Sequence, residues 1–227
     1  MTPAARRRYD NSRREAAARA TRLRVIEAAK ALFVDQGYPA TTIEAIAEAS
    51  DTPLPTLYRL FGSKRSLLKA VMDTSFVGDD EPVAFGDRPE VQAALRAVDP
   101  ETLIDAFATI CRDVMDRAGE MYHVLTTAAV VDQEAAALLA DVRQQAHTGR
   151  SRIVAALRAM NALDPALTPS EAEDIVYTCL SFEVARILTV ERSWNSDQYE
   201  AWIARSLRVV LPTERPRRAN ARPKKEN

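Results

Sequence analysis

The chain has 227 residues, of which 47% are hydrophobic and 28% are charged, and its formal net charge is −1. This composition is typical of a soluble globular protein with a sizeable core, and no apolar run approaches the roughly 18 residues that a membrane span needs. The arginine-rich N-terminus is not followed by an apolar stretch, which argues against a secretory signal. Because no convincing strand alternation is found, the pattern predicts an all-α fold.

Charge is unevenly distributed along the chain. Residues 1–70 contain 13 Lys and Arg against 7 Asp and Glu, a net charge of +6, whereas residues 71–211 contain 12 against 23, a net charge of −11. Residues 212–227 carry a net charge of +4. A basic N-terminal part on an acidic body indicates that one end of the protein binds a polyanion. Solvated charged tails would give the same numbers, so charge alone leaves both alternatives open.

The N-terminal segment divides into an arm and two helices. Residues 1–20 are predicted to be a basic flexible arm, because their arginines are too dense to bury. From Thr21 apolar residues recur at helical spacing, and this helix is predicted to end with Gly37 in a left-handed conformation. A short helix follows, because Thr41 and Glu44 have the spacing of a capping box.

The stretch DTPLPTLYRLFGSK, residues 51–64, is predicted to contain a second short helix. Proline lacks the N–H group that the first helical turn leaves unpaired, so prolines suit a helix start. The sequence therefore places Thr52 at the N-cap, Pro53 at the first helical position and Pro55 at the third. Ser63 is predicted to cap the helix that comes next.

Two short helices between two longer ones form a helix-turn-helix, predicted to occupy residues 21–75 as one domain. Residues 78–90 contain Gly, Pro and acidic residues and are predicted to be a loop at a domain boundary. A helical domain is expected over residues 76–211, followed by a basic disordered tail over residues 212–227.

Five helices are predicted within the C-terminal domain from periodicity and caps. Asp99 and Pro100 form one start signal, and Thr168 with Pro169 and Glu171 forms another. The helix after Thr168 is apolar on more than one side, which predicts that several of its faces are covered. The predicted helices cover residues 100–118, 120–131, 132–160, 169–193 and 197–211.

The segment from Gly37 to Val71 resembles the DNA-binding part of the TetR family of bacterial transcriptional regulators. It departs from the family pattern at the turn, where Asp51 replaces a glycine and is expected to be left-handed, and at Leu60, where the family has histidine or tyrosine. The features that match are Gly37-Tyr38, Thr41-Thr42, Ile46-Ala47, Thr56-Leu57-Tyr58, Phe61, Ser63-Lys64 and Leu67-Leu68.

The resemblance implies that the protein binds double-stranded DNA at a pseudo-palindromic operator. Hydroxyl and ammonium groups near helix N-termini suit phosphate oxygens, whereas arginine suits guanine and an apolar side chain suits the thymine methyl group. Each candidate has the alternative of being a solvated side chain. The predicted phosphate contacts are Thr42, by analogy with the family, Thr56, Tyr58 and Lys64, and the predicted base contacts are Arg59 and Leu54.

The resemblance further implies a homodimer that pairs through its last two helices, and a small, mostly apolar effector that releases a repressor from DNA. It implies a bacterial cytoplasmic protein, associated with the nucleoid, that needs no cofactor or metal. Ordinary core packing is the alternative for each pocket candidate, including the histidine. The predicted effector-binding residues are Phe107, Cys111, Met115, Tyr122, His123, Tyr177 and Phe182.

Two other function classes were weighed against a regulator. Ser66 and Lys69 have the Ser-x-x-Lys spacing of penicillin-recognising enzymes, but the accompanying Ser-Asp-Asn and Lys-Thr-Gly motifs are missing, so an enzyme is not predicted. Cys111 and Cys179 are expected to be reduced thiols. A helical adaptor that binds an acidic partner stays open, and a salt-dependent affinity for DNA would distinguish it from a regulator.

Overall fold

A computed structural model describes residues 3–212, with side chains from residue 14 onward. Within this range the chain is all-helical, as predicted, and the tail beyond Pro212 lies outside the described residues. The ten α-helices of this range are α1 (Pro3–Gln36), α2 (Ile43–Ala49), α3 (Leu54–Phe61), α4 (Lys64–Val77), α5 (Pro89–Leu95), α6 (Pro100–Ala128), α7 (Gln133–Ala159), α8 (Pro169–Cys179), α9 (Phe182–Arg186) and α10 (Ser196–Leu207).

Two hydrophobic cores are joined by the long helices α6 and α7. The first core combines α1 to α4 with the C-terminal half of α6, where Met121 and Leu125 are buried beside Phe33 and Leu68. The second core lies among α5, the N-terminal half of α6, the C-terminal half of α7, α8 and α10. Because α6 contributes to both cores, the N-terminal helices are packed onto the body of the protein rather than tethered to it.

The N-terminal segment that was predicted to be a flexible arm is helical where the structure describes it. Helix α1 begins at Pro3 and continues without a break to Gln36. The dense arginines argued against burial, but arginine and alanine are both strong helix formers, so the segment can be helical without packing into a core. Gly37 follows with a φ of 80°, as expected for the end of this helix.

Two predicted helix starts are shifted by one residue. The hydroxyl of Thr42, not Thr41, accepts the hydrogen bond from the N–H of Ala45, at 3.1 Å. Thr41 is buried and donates instead to the carbonyl oxygen of Gly37, at 2.9 Å. Likewise α3 has its N-cap at Pro53, because Thr52 is buried and donates to the carbonyl oxygen of Ser50, at 3.1 Å. In both places a threonine packs inside the turn and the N-cap position falls on the next residue, which caps with its side chain only at Thr42.

Other local predictions are confirmed. Asp51 has a φ of 45°, which is the left-handed conformation expected where the family has glycine. The hydroxyl of Ser63 caps α4 by accepting from the N–H of Ser66, at 3.1 Å. Asp99 caps α6, and Thr168 forms a full capping box at the start of α8.

The predicted loop over residues 78–90 contains structure that the sequence did not indicate. A 3₁₀ turn covers Phe85–Asp87, and helix α5 begins at Pro89. The buried guanidinium of Arg88 holds this segment by donating to both carboxylate oxygens of Asp79, at 2.7 and 2.8 Å.

Three predicted helices are wrong in extent. The helices expected over residues 100–118 and 120–131 are one helix, α6, which continues through Gly119 without a break. The helix expected to run to residue 193 is interrupted after Cys179. Ser181 then caps α9 by accepting from the N–H of Val184, at 3.2 Å, and a π-helical turn covers Ile187–Glu191.

Candidate nucleic-acid interface and effector cavity

Helix α3 buries one side and exposes the other, as its periodicity predicts. Leu57 and Phe61 are buried against the first core. Tyr58 is 46% exposed, and Arg59 is exposed beside it. A short helix with an exposed hydroxyl and an exposed guanidinium on one side has the size and chemistry to enter a DNA major groove.

Lys64 is held at the N-terminus of α4 against the segment that leads into α2. Its Nζ lies 4.3 Å from the centroid of the Tyr38 ring and donates to the carbonyl oxygen of Pro39, at 3.4 Å. Burial lowers the pKa of Lys64, whereas burial raises the pKa of Tyr38 to about 12, with smaller contributions from Asp132 and Glu134. The contact joins the start of α4 to the chain just before Thr42.

The six predicted DNA-binding residues occupy three adjoining places. Thr42 is exposed at the start of α2, and Lys64 is half-buried at the start of α4. The other four lie on α3, where Tyr58 and Arg59 are exposed and Leu54 and Thr56 are half-buried. All six side chains are at least partly exposed, although Leu54 also packs against the first core.

Two other arginines of this region have structural contacts. The guanidinium of Arg22 lies 4.7 Å from the centroid of the Phe61 ring, and it donates to the carbonyl oxygen of Leu60, at 3.5 Å. Arg19 pairs with the carboxylate of Asp80 in the segment after α4. Arg22 therefore supports α3 from behind, and Arg19 ties α1 to the body.

A cavity of about 840 Å³ lies between the two cores, within the range of volumes that hold small-molecule ligands. Its wall is formed by Arg22 of α1, the last turns of α4, the segment 79–87, Leu180, and residues of α5, α6, α7, α9 and α10. Four predicted effector-binding residues lie on this wall: Phe107, Cys111, Met115 and Phe182.

The other three predicted effector-binding residues do not line the cavity. Tyr122 is buried behind the wall, where its ring stacks on Phe182 with centroids 4.3 Å apart. Its hydroxyl donates to Glu183, at 3.1 Å. His123 is exposed, so it is not the core histidine that its apolar neighbours suggested. Tyr177 is also exposed, and the helical spacing could not reveal that α8 turns it away from the cavity.

Three cavity residues were missed by sequence reasoning: Phe76 on α4, Arg150 on α7 and Tyr199 on α10. Arg150 precedes the buried Ile153 and Leu157 by three and seven residues, so it shares their helical face. Its position could have marked Arg150 as a candidate binding residue from the sequence, because an arginine on an apolar stripe must find polar partners. Tyr199 was predicted to be part of an apolar stripe, without a role in binding.

The cavity wall is continuous with the DNA-binding helices. Phe76, on the wall, belongs to the last turns of α4, and its carbonyl oxygen accepts from Nη2 of Arg117, at 3.0 Å. The carbonyl oxygen of Arg117 in turn accepts from Nζ of Lys30 on α1, at 3.1 Å. A molecule in the cavity would therefore contact α4 directly, and it can contact α1 both directly, at Arg22, and through Arg117 of α6.

Metal and thiol chemistry have no evident place at this site. Within residues 3–212, no group of three or more His, Cys, Asp or Glu residues is arranged to hold a metal ion. Both cysteines are free, and burial raises the pKa of Cys111 to about 12 and also raises the pKa of Cys179. Thiols of raised pKa are poor nucleophiles at neutral pH. None of the helices in the described part of the chain has the length and apolar character needed to span a membrane.

Comparisons with known proteins agree with this geometry. Residues 25–71 match the family described as bacterial regulatory proteins, tetR family. Over 73 residues the chain is 34% identical to the HTH-type transcriptional repressor ComR of Escherichia coli K12, a match that covers 31% of this chain and 35% of ComR. The match thus spans about a third of the length of this curated relative.

Solved structures extend the likeness of the fold to nearly the whole chain. The structure of NalD, the secondary repressor of the MexAB-OprM multidrug efflux pump in Pseudomonas aeruginosa, superimposes with a TM-score of 0.62 at 17% identity, covering 87% of this chain and 99% of NalD. The SmeT–triclosan complex superimposes with a TM-score of 0.67 at 14% identity, covering 86% of this chain and 93% of SmeT.

Fold and site together define an all-helical protein in which an N-terminal helix-turn-helix is packed on a cavity-bearing helical body. Its helix-turn-helix segment, residues 25–71, is the part that matches the family of bacterial regulatory proteins described as tetR.

Proposed function

We propose that the protein is a DNA-binding transcriptional repressor that leaves a pseudo-palindromic operator when a small, mostly apolar effector fills the cavity. The observation that carries this proposal is that Phe76 belongs both to the cavity wall and to α4, the last helix of the DNA-binding segment. A ligand that prefers one position of α4 would shift the population of DNA-reading conformations by its difference in affinity for the two.

The proposed DNA contacts are those of the outer side of the helix-turn-helix. Tyr58 and Thr56 offer hydroxyls, and Lys64 offers an ammonium group, to phosphate oxygens. Arg59 is exposed and donates to guanine, and Leu54 contacts a thymine methyl group. Thr42, at the exposed start of α2, adds a phosphate contact.

The protein is proposed to act as a homodimer on the bacterial nucleoid. Large apolar side chains are exposed on α8 and on the π-helical turn that follows α9: Tyr177, Ile187 and Val190. Exposed apolar groups on neighbouring elements suit a protein interface, and a two-fold dimer suits an operator with two half-sites. This interface includes the end of the segment predicted to form the first of the two dimer helices.

The names of three similar proteins support the proposal. ComR is a transcriptional repressor and NalD is a repressor of an efflux pump, and the SmeT structure contains triclosan. By extension, this chain represses transcription and takes a small-molecule effector.

The test begins with selection of genomic DNA fragments by the purified protein, which yields the operator. Fluorescence anisotropy then measures operator affinity in the presence of each compound that raises the melting temperature of the protein. We expect at least one such compound to weaken operator binding. If the selection enriches no sequence, the proposed DNA binding is wrong. If every stabilising compound leaves operator affinity unchanged, the proposed release by an effector is wrong.

A further inference from the structure

One end of the cavity presents an unpaired hydroxyl. Tyr199 lines the cavity and is only 1% exposed, yet within the described chain its hydroxyl makes no hydrogen bond. A buried polar group without a hydrogen bond is costly, so a ligand that supplies the bond gains free energy.

Arg150 brings a positive charge to the same wall. Its Nη2 donates to the carbonyl oxygen of Leu180, at 2.6 Å, and its guanidinium lies 4.7 Å from the centroid of the Tyr177 ring. None of the ion pairs between described residues includes Arg150, whereas Arg143, two turns earlier on α7, pairs with Glu183. A guanidinium has five N–H donors, so most of those on Arg150 are available to a ligand.

The hydroxyl and the guanidinium lie at one end of the cavity, beside Cys111. The charge of Arg150 lowers the pKa of Cys111, against the larger effect of burial, and it acts on Tyr199 in the same direction. Packing places the three side chains together, because Leu180 and Tyr199 belong to the second core, Cys111 packs against it, and Arg150 donates to the carbonyl oxygen of Leu180.

Six acidic side chains also line the wall, and four of them, Asp79, Asp80, Glu81 and Asp87, lie in the segment 79–87. Three of them already have cationic partners, in the pairs Lys69–Asp73, Arg88–Asp79 and Arg19–Asp80. Asp141 precedes Arg150 by nine residues on α7, a distance of about 13 Å along the helix axis. The polar end near Cys111 thus offers donors and positive charge.

We infer that the effector is an apolar monocarboxylate, whose carboxylate pairs with Arg150 and accepts a hydrogen bond from the hydroxyl of Tyr199. Its apolar body would lie among Phe107, Met115 and Phe182. This inference rests on the proposed function, because it names the effector class of the same cavity. A planar guanidinium matches a carboxylate with two parallel hydrogen bonds.

A carboxylate matches the donors of this pair. One guanidinium and one hydroxyl offer N–H and O–H groups to the two oxygens of a single carboxylate. A neutral or cationic ligand would leave the half-buried guanidinium of Arg150 without a counter-ion.

The experiment compares three probes with the same ten-carbon chain: decanoate, 1-decanol and decyltrimethylammonium, each below its micellar concentration. Isothermal titration calorimetry with the full-length protein measures binding of each. We expect decanoate to bind roughly tenfold or more tightly than 1-decanol, because hydrogen bonds to a charged group are worth more than neutral ones. Decyltrimethylammonium should bind most weakly.

Three variants show which residues cause the preference for decanoate over 1-decanol. Arg150→Gln should reduce the preference for decanoate over 1-decanol to near unity, and Tyr199→Phe should reduce it several-fold while leaving 1-decanol binding unchanged. Arg158→Gln removes the same charge from an exposed position on α7, outside the cavity wall, and should retain the full preference.

The inference is overturned if decanoate has no advantage over 1-decanol in the parent protein, if decyltrimethylammonium binds best, or if no probe binds. It is also overturned if Arg150→Gln or Tyr199→Phe, checked for folding by circular dichroism, keeps the parent's preference. These results concern the ligand alone, so operator binding and its release by another compound would still stand as the proposed function.

Discussion

The rings of Phe76 and Phe182 meet edge to face, with their centroids 5.5 Å apart and their planes at 89°. Phe76 belongs to α4 of the DNA-binding segment and Phe182 begins α9, and both lie on the cavity wall. An effector that contacts Phe182 therefore contacts, in the same place, the helix that positions the DNA-binding surface.

Phe76→Leu is expected to weaken the coupling between effector and operator. Leucine keeps an apolar contact but loses the edge-to-face geometry, which is worth about 0.5–1.5 kcal/mol beyond burial. The ratio of operator affinities without and with effector, measured by anisotropy, should fall several-fold. Phe85→Leu makes the same exchange in the segment 79–87 of the wall, away from α4, and should keep the parent's ratio. An unchanged ratio in Phe76→Leu would show that α4 is not moved through this contact.

Lys64→Ala should weaken DNA binding equally on all sequences. Loss of one phosphate contact lowers the slope of log affinity against log salt concentration by about 1. The measurement is operator affinity over a range of salt concentrations. Arg158→Ala makes the same change of net charge on the far part of α7 and should leave the slope as it is. A parent-like slope in Lys64→Ala would remove Lys64 from the interface.

Arg59→Ala should reduce sequence preference as well as affinity. A side chain that reads a guanine contributes about 1–3 kcal/mol of discrimination against the wrong base. Competition between operator variants with single base changes measures this loss position by position. Tyr58→Phe removes only a hydroxyl from the same exposed side of α3, and we expect it to weaken all competitors alike. If Arg59→Ala discriminates as the parent does, another residue reads the bases.

Local chemistry in the sequence predicted much of the fold. Caps at Ser63, Asp99 and Thr168 give helix starts at the right residues, and the left-handed Asp51 follows from the sequence of the turn. The same reasoning failed at Gly119, where the pattern predicted a break that packing of α6 across both cores overrides.

The two parts of the candidate site differ in how far sequence could predict them. The exposed side of α3 depends on helical period alone, so Tyr58 and Arg59 were placed outside correctly. The cavity depends on which faces of α4, α6, α7 and α10 meet, and no local pattern contains that information. Arg150 is an example. It donates to the carbonyl oxygen of Leu180 and so stabilises the break after α8, and these two residues are 30 positions apart, beyond the reach of a local pattern.

The acidic segment after α4 should make stability depend on pH. Hydrogen bonds from Arg88 hold the pKa of Asp79 below its ordinary value of 3.8. Because the folded pKa is depressed, this contribution to stability is present above pH 3.8 and is lost as the pH falls through the folded value. Asp79→Asn should lower the melting temperature at pH 7, and the difference from the parent should shrink below pH 3.8. Asp73→Asn alters the exposed pair with Lys69 and should change the melting temperature little. A constant deficit for Asp79→Asn at every pH would contradict this account.

Ile187→Asp is expected to dissociate the proposed homodimer without unfolding the protomer. Ile187 is 47% exposed on the π-helical turn, near the exposed Val190, so a charge there has little effect on the protomer's own core. In a dimer interface the same carboxylate would be desolvated beside apolar side chains, and this costs several kcal/mol per ion. Sedimentation velocity should show a dimeric parent and a monomeric variant, and the variant should lose most of its operator affinity because each protomer then binds a single half-site.

Val98→Asp places the same charge at a valine that is 94% exposed between α5 and α6, so it should stay dimeric. If Ile187→Asp sediments as the parent does, or if Val98→Asp dissociates instead, the interface lies elsewhere on the protein.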